Sequence, residues 1–234
     1  MKSICKVLAA VVMTAAMGAG GLQAQDESPV SVEFTTSFAN QYIWRGFVLN
    51  DTPSMQPGLA VGYKGFTVSS WNNIAHTGPN GQSWTEHDLT VDYTKAIGKH
   101  SLSGGWINYA FPDIEPGNGR YSNELYFGYG YDTVLSPSFK VYGDFDEGNG
   151  LYYFFSIGHS IPLPKGMSFN PTAGIGINQH EWIDQTVISD FDIGASLDIP
   201  LGHVTLSPFY THVIGHKTLF GNHPLYGVNL SITK

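Results

Sequence analysis

The chain is predicted to fold as an all-β protein, a transmembrane antiparallel up-and-down β-barrel of about twelve strands and of the outer-membrane type. Three observations predict it. Stretches of alternating apolar and polar residues recur along the chain, the links between them alternate between short turns and long loops, and charged residues make up only 13%. Soluble domains carry roughly 25%. Beyond the N-terminal segment, no stretch approaches the roughly 18 consecutive apolar residues of a membrane helix. In lipid every backbone group must be paired within the protein, so strands can cross only by closing on themselves. A secreted β-sandwich also alternates with period two, but it gives no reason for short and long links to alternate.

The N-terminal segment reads as a cleavable leader. Lys2 and Lys6 form a positive start, Val7 to Ala16 an apolar core, and Leu22-Gln23-Ala24 a small-residue cleavage site, so Met1 to Ala24 is expected to be a signal peptide. Residues 25–234 then form a single barrel domain, with no linker or low-complexity segment inside it. The one cysteine, Cys5, lies in the leader, which excludes a disulfide framework from the rest. The leader holds two lysines and no acid, so its removal makes the formal charge of −8 more negative by two. Nucleic acid is therefore not an expected partner.

The strands follow in order from their patterns. In the first, Val30, Val32, Phe34, Thr36 and Phe38 share one side, with Ser31, Glu33, Thr35, Ser37 and Ala39 on the other. Continued to Arg45, that alternation points Gln41, Ile43 and Arg45 inward and Tyr42 and Trp44 toward lipid. Long links are expected at Gly46 to Met55, Ala75 to Trp84, Phe111 to Arg120, Gln179 to Thr186 and Ile214 to Asn222, with Glu147 to Gly150 a compact member of the set. Short turns are expected at Lys64-Gly65, Ile97 to His100, Asp132 to Pro137, Pro162 to Gly166 and Pro200 to Gly202. Between them, Leu125, Phe127, Tyr129 and Tyr131 oppose Glu124, Tyr126, Gly128, Gly130 and Asp132 in the sixth strand. Phe191, Ile193, Ala195, Leu197 and Ile199 oppose Asp190, Asp192, Gly194, Ser196 and Asp198 in the tenth. The last sets Tyr226, Val228, Leu230 and Ile232 against Gly227, Asn229, Ser231 and Thr233. A slip of one residue would exchange the faces, so the pattern assigns apolar residues to lipid and small polar ones to the lumen. Two aromatic belts are expected, Tyr42, Trp44, Trp71, Tyr109, Tyr121 and Trp182 near the long loops and Tyr63, Phe66, Tyr93, Tyr131, Phe139 and Phe169 near the short turns.

The lumen so assigned is acidic. Glu33, Asp88, Asp92, Glu124, Asp144, Asp190 and Asp192, with Asp132 and Asp198 near strand ends, face only Arg45 and Lys140. A lumen walled by one sign of charge concentrates the opposite sign, so Arg45, Glu33, Asp88, Asp92, Glu124, Lys140, Asp144, Asp190 and Asp192 are the candidate lumen and constriction residues. Arg45 is expected to pair with Asp146 or Asp190, and Tyr126, Tyr142 and Phe209 to narrow the path. About twelve strands lies between the side-chain-filled barrel of eight and the open channel of sixteen.

Catalysis is not expected. Lipid-cleaving outer-membrane enzymes set a serine two residues after a histidine so that imidazole can activate the hydroxyl, and no His-x-Ser occurs here. His212, His216 and His223 are too far apart along a strand to converge on a metal. Asp144 to Gly150 lacks the distal glutamate of a calcium loop and reads as a hairpin turn. No cofactor is called for.

The segment Gln41-Tyr42-Ile43-Trp44-Arg45-Gly46 resembles the Asp-Tyr-x-Phe-Arg-Gly signature that ends the first strand in the TorF-like porin family, uncharacterised bacterial outer-membrane β-barrel proteins. Pro57 to Tyr63, Gly65 to Asn73, Asn108 to Pro112 and Tyr121 to Tyr126 look like that family's next landmarks in the same order. The ending Ser231-Ile232-Thr233-Lys234 departs from the aromatic residue that usually closes such barrels. The resemblance implies a barrel in the outer membrane of a Gram-negative cell, delivered by the barrel-assembly machinery and surrounded by outer-membrane lipids. Together with the acidic lumen it implies a passive channel for small polar solutes that prefers cations. The alternatives are a lipid-active enzyme and a closed barrel serving as a structural or loop-mediated binding protein.

Overall fold

The computed structural model describes residues 30–76, 82–114 and 119–234. The expected signal peptide, Met1 to Ala24, lies outside them, as do parts of the long links Ala75 to Trp84 and Phe111 to Arg120. Fifteen strands follow in chain order. They are β1 (Val30–Ala39), β2 (Tyr42–Trp44), β3 (Phe47–Asn50), β4 (Ser54–Tyr63), β5 (Phe66–His76), β6 (Gln82–Ile97), β7 (His100–Ala110) and β8 (Tyr121–Tyr131). After these come β9 (Ser138–Asp144), β10 (Gly150–Gly158), β11 (Ile161–Pro162), β12 (Ser168–Gln179), β13 (Thr186–Leu201), β14 (Val204–Gly215) and β15 (Asn222–Thr233). Leaving aside the short β2, β3 and β11, the other strands pair with their sequence neighbours and β1 pairs with β15, from Glu33 opposite Thr233 to Ala39 opposite Gly227. The result is a closed antiparallel barrel of twelve strands. Closure leaves the barrel wall, among the described residues, without an edge strand. Among the described residues no helix is long enough to cross a membrane.

Period two decides the two faces. Leu125 and Ile193 are 57% and 50% exposed on the outer wall, while Glu124 and Asp190, one residue before or three before them, are 0% and 2% exposed inside. An outer surface of this apolarity is what lipid requires and water does not tolerate. Tyr63, Phe66, Tyr93, Tyr131 and Phe169 stay exposed beside the short turns, as an interfacial belt should.

The other belt differs. Tyr121 and Trp182 are exposed, but Tyr42, Trp44, Trp71 and Tyr109 are buried inside the barrel as one aromatic cluster with Tyr142 and Tyr152. Trp71 and Tyr109 lie on the inner face of β5 and β7, in register with Asp88, whereas for Tyr42 and Trp44 the cause is a turn at Asn40. β1 stops at Ala39 rather than running on to Arg45, because the Asn40 side chain donates to Pro224 O at 3.0 Å and accepts from the Tyr226 N–H at 2.8 Å. Gln41 also donates to Pro224 O. The chain then enters the lumen as the β2–β3 hairpin, so Tyr42 and Trp44 face protein and not lipid. Alternation cannot distinguish a strand that climbs the wall from one that folds inside it.

Asp132 is corrected too, since it lies in an exposed turn beyond β8. Inner-face residues are buried toward the end that carries the long loops and largely half-buried toward the end that carries the turns. Asp198, near the turn end, is a buried exception, accepting hydrogen bonds from Asn170, Ser168 and Ser207. The lumen is therefore filled at its loop end and looser below.

Ile193→Arg should lower stability by about 2–4 kcal/mol, the cost of a mid-bilayer charge on a barrel's lipid face, whereas Ser101→Asn on the inner face should leave it unchanged. Urea unfolding in lipid vesicles followed by the heat-modifiable band measures both. Equal losses would contradict the assignment of faces.

Candidate functional site

Two residues turn the inserted hairpin. Arg45 and Gly46 have φ of 50° and 87°, the positive pair that a two-residue type I′ hairpin needs. Only glycine takes the second position without strain, and a Cβ on Gly46 would also lie 3.0 Å from Ser189 O. The turn carries the Arg45 side chain at its tip, far from where an outside loop would leave it.

The guanidinium is gripped from several sides. Nη1 donates to Glu124 Oε2 at 2.7 Å and Nη2 to Glu124 Oε1 at 2.9 Å, a two-pronged contact, and Nη1 also pairs with Glu181. The Tyr109 hydroxyl donates to Glu124 Oε1 at 3.0 Å. The rings of Tyr142, Tyr152 and Trp44 lie 4.3, 4.5 and 4.5 Å from Cζ. Bidentate charged hydrogen bonds and desolvated cation–π contacts are among the stronger polar interactions in proteins, each worth about 2 kcal/mol. Further ring contacts seat the hairpin: Tyr42 on Trp71 at 5.3 Å, Trp44 on Tyr109 at 6.0 Å and Phe47 on Phe220 at 4.5 Å.

Glu181 comes from the link between β12 and β13, which also folds inward. Asn178 Oδ1 accepts the Glu181 N–H at 2.9 Å, Asn178 Nδ2 donates to Glu181 O at 3.0 Å, and the Trp182 N–H donates to Gly148 O. His180 and Trp182, on either side, have φ of 62° and 59°, a left-handed conformation that costs energy in residues other than glycine. One guanidinium cannot neutralise two carboxylates. Burial, outweighing the lowering effect of Arg45, pushes the Glu181 carboxyl up to about 8.

The hairpin completes a seal. At the loop end each of the twelve barrel strands contributes at least one buried inner-face residue. On one side these are Ser37, Gln56, Asn73, Asp88, Ile107 and Glu124; on the other, Tyr142, Tyr152, Asn178, Asp190, Val213 and Leu225. Ile43 of the hairpin packs with Phe209, Val213 and Leu225. Beside Arg45 a void of about 10 Å³, lined by Tyr152, Phe154, Asp190 and Asp192, is no larger than one water.

The sequence-derived candidates fall into three groups. Arg45, Asp88, Glu124, Asp144 and Asp190 are buried in the sealed layer. Asp92, Lys140 and Asp192 are half-buried in or just below it. The Tyr126 hydroxyl donates to Asp92, and Lys140 Nζ lies 5.2 Å from the Tyr126 ring. Glu33 stands apart, exposed near the turn end. The expected partners of Arg45 are overturned. Asp146 instead accepts from Asn123, and Asp190 from Tyr152 and Ser189, because the hairpin carries Arg45 inward toward β8. Asp144 Oδ1 accepts the N–H groups of Asp146, Gly148 and Asn149, so its carboxylate organises the compact hairpin turn. Two buried carboxyls of this layer escaped the sequence reading. Glu86 shares the alternation of Asp88 and was findable by counting in twos; Glu181 sits in a link, where period two gives no signal.

The chain belongs to the family described as a bacterial protein of unknown function (Gcw_chp), which matches residues 23–229. No curated protein sequence matches it. Among solved structures it is similar to an outer membrane channel from Pseudomonas putida F1, with a TM-score of 0.57, 9% identity, and coverage of 88% of this chain and 94% of that one. At that identity the likeness is one of fold alone: this is an outer-membrane-type barrel. Salmonella typhi OmpF (TM-score 0.44, 6% identity, 88% and 97% covered) and the translocator domain of the Neisseria meningitidis autotransporter NalP (0.45, 10%, 90% and 89%) are more distant.

Arg45→Ala should cost about 3–5 kcal/mol, since removing one partner of a buried ion pair leaves uncompensated charge. Arg45→Lys should fall between, because an ammonium cannot reproduce the two-pronged contact with Glu124. Gly150→Ala should push the Glu181 segment out, as an added Cβ would collide with the Glu181 backbone nitrogen. Urea midpoints of the refolded proteins measure all three; an Arg45→Ala barrel as stable as wild type would contradict the pinning role.

Proposed function

We propose that the protein is an outer-membrane channel for small polar solutes, held closed in this conformation, and that the β2–β3 hairpin is its gate. The observation that carries this reading is the seal itself. The continuous wall is a closed barrel of twelve strands, and what fills its loop end is a hairpin tethered by short segments, Asn40-Gln41 and Asp51 to Pro53. Displacing that hairpin joins the looser lower lumen to the loop end. Among the described residues the sealed layer holds Glu86, Asp88, Glu124, Asp144, Glu181 and Asp190 against one Lys or Arg, namely Arg45. Once hydrated, such a lining favours cations over anions.

The apolar outer band, the expected leader and the TorF-like landmarks all support an outer-membrane location, with the turns in the periplasm and the long loops outside. Barrel-assembly machinery and lipids are the corresponding partners. The protein is read as non-catalytic. The completeness of the seal also favours a second reading, a closed barrel whose loops bind a partner.

Ion currents in planar bilayers separate the two. A variant lacking residues 42–50 should conduct well above wild type, and its reversal potential in a salt gradient should show cation preference. That preference should shrink from 0.1 M to 1 M salt, as the screening length falls from about 10 Å to about 3 Å. A folded hairpin-less barrel that carries no current would reject the channel and leave the closed barrel.

A further inference from the structure

The residues that hold Arg45 belong almost entirely to other parts of the barrel. Glu124 comes from β8, Tyr109 from β7, Tyr142 from β9, Tyr152 from β10 and Glu181 from the link after β12. We propose that this cradle is a guanidinium-binding site of the barrel, that Arg45 is its resident occupant, and that the solutes which open the channel are organic cations bearing a guanidinium group. The passage of such solutes rests on the channel reading above; their binding does not.

The chemistry of the cradle is specific. Both oxygens of Glu124 are presented side by side to two nitrogens 2.7 and 2.9 Å away, an arrangement that matches a planar fork and is wasted on an ammonium. The Tyr109 hydroxyl fixes the carboxylate in that orientation. Two tyrosine rings on adjacent strands, opposite one another in the β9–β10 register, supply the aromatic wall.

The cradle also holds more acceptor than Arg45 uses. Glu124 alone balances one positive charge, yet Glu181 is brought in as well, on a segment with two left-handed residues and two hydrogen bonds shared with Asn178, one donated and one accepted by its side chain. Glu181 Oε2 is fully buried and, among the described residues, meets no hydrogen-bond donor. A guanidinium has five N–H groups, and among the described residues the hydrogen bonds of Arg45 run from its two terminal nitrogens. A guanidinium arriving on a solute, free of the hairpin's constraint, can turn to donate to Glu181 Oε2, which favours the ionised carboxylate over the protonated form that burial promotes. The void beside Arg45 is lined by Asp190 and Asp192, and the buried Asp192 Oδ1 likewise meets no donor among the described residues. These two carboxylates extend the acidic lining from the cradle toward the turn end.

The test uses methylguanidinium chloride as probe and the full refolded protein in detergent. Arg45→Ala vacates the cradle. Methylguanidinium should bind this variant saturably by calorimetry and raise its unfolding temperature with concentration, as a ligand of the folded state must. Wild type, with the cradle filled, should show neither effect. Methylammonium should bind about tenfold more weakly, and adding Glu124→Gln should abolish binding. Absence of binding to folded Arg45→Ala, equal binding of the two cations, or binding indifferent to Glu124 would each overturn the proposal. Should Arg45→Ala not fold, Arg45→Gln refolded with and without the probe decides: recovery of the folded band with methylguanidinium supports the site, and no recovery overturns it. Because these readouts need no current, failure here is distinct from failure of the channel reading.

Discussion

One charge-assisted contact organises the interior: the Arg45 guanidinium against Glu124 and Glu181. It is buried among tyrosines within a barrel whose outside faces lipid, so neither partner can fall back on water if the contact breaks. Everything at the loop end is arranged around it. The Asn40 turn sends the hairpin inward, Gly46 lets it reverse under Ser189, Asn178 delivers Glu181, and Tyr109 sets the orientation of Glu124. A hairpin of this size contributes little backbone pairing of its own. Its place in the lumen depends on side chains, and foremost on this one.

The barrel has two different jobs for its two halves. Toward the turns the inner face is small and polar, with half-buried Ser101, Ser103, Thr67 and Thr94. Toward the loops it is crowded, and a row of tyrosines, Tyr126, Tyr142 and Tyr152, crosses three strands at ring separations of 5.5 and 6.1 Å. Aromatic rows of this kind stiffen a sheet through cross-strand packing, and here they also form the floor on which the guanidinium rests. Carboxyl groups exceed the guanidinium charge throughout this layer, a surplus that only protons, cations or water can relieve.

How much of this was legible in the sequence follows from what alternation can encode. The links Phe111 to Arg120 and Gln179 to Thr186 stand between the strands where the pattern put them, because turns interrupt period two wherever a strand leaves the wall. The faces of β8 and β13 follow for the same reason. Alternation is blind to the path of the chain beyond the wall. Tyr42 and Trp44 look as much like an interfacial belt as like the stem of a plug, and only the hydrogen bonds of Asn40 to β15 separate the two. Arg45 stood out as a guanidinium among acids, yet of its two partners Glu181 lies 136 residues away in a link, where no periodicity points. The adjacent Arg45-Gly46 pair was the available clue, since it fits the centre of a tight hairpin.

The central claim is that the ion pair, and not the backbone, keeps the hairpin inside. Ile43, at 2% exposure, is the hairpin residue best placed to report it. Maleimide reactivity of an Ile43→Cys barrel, folded in lipid vesicles, should be negligible when Glu124 is present and should rise sharply in an Ile43→Cys, Glu124→Ala double variant that retains the folded band. Equal reactivity in the two barrels, whether both blocked or both open, would contradict the account.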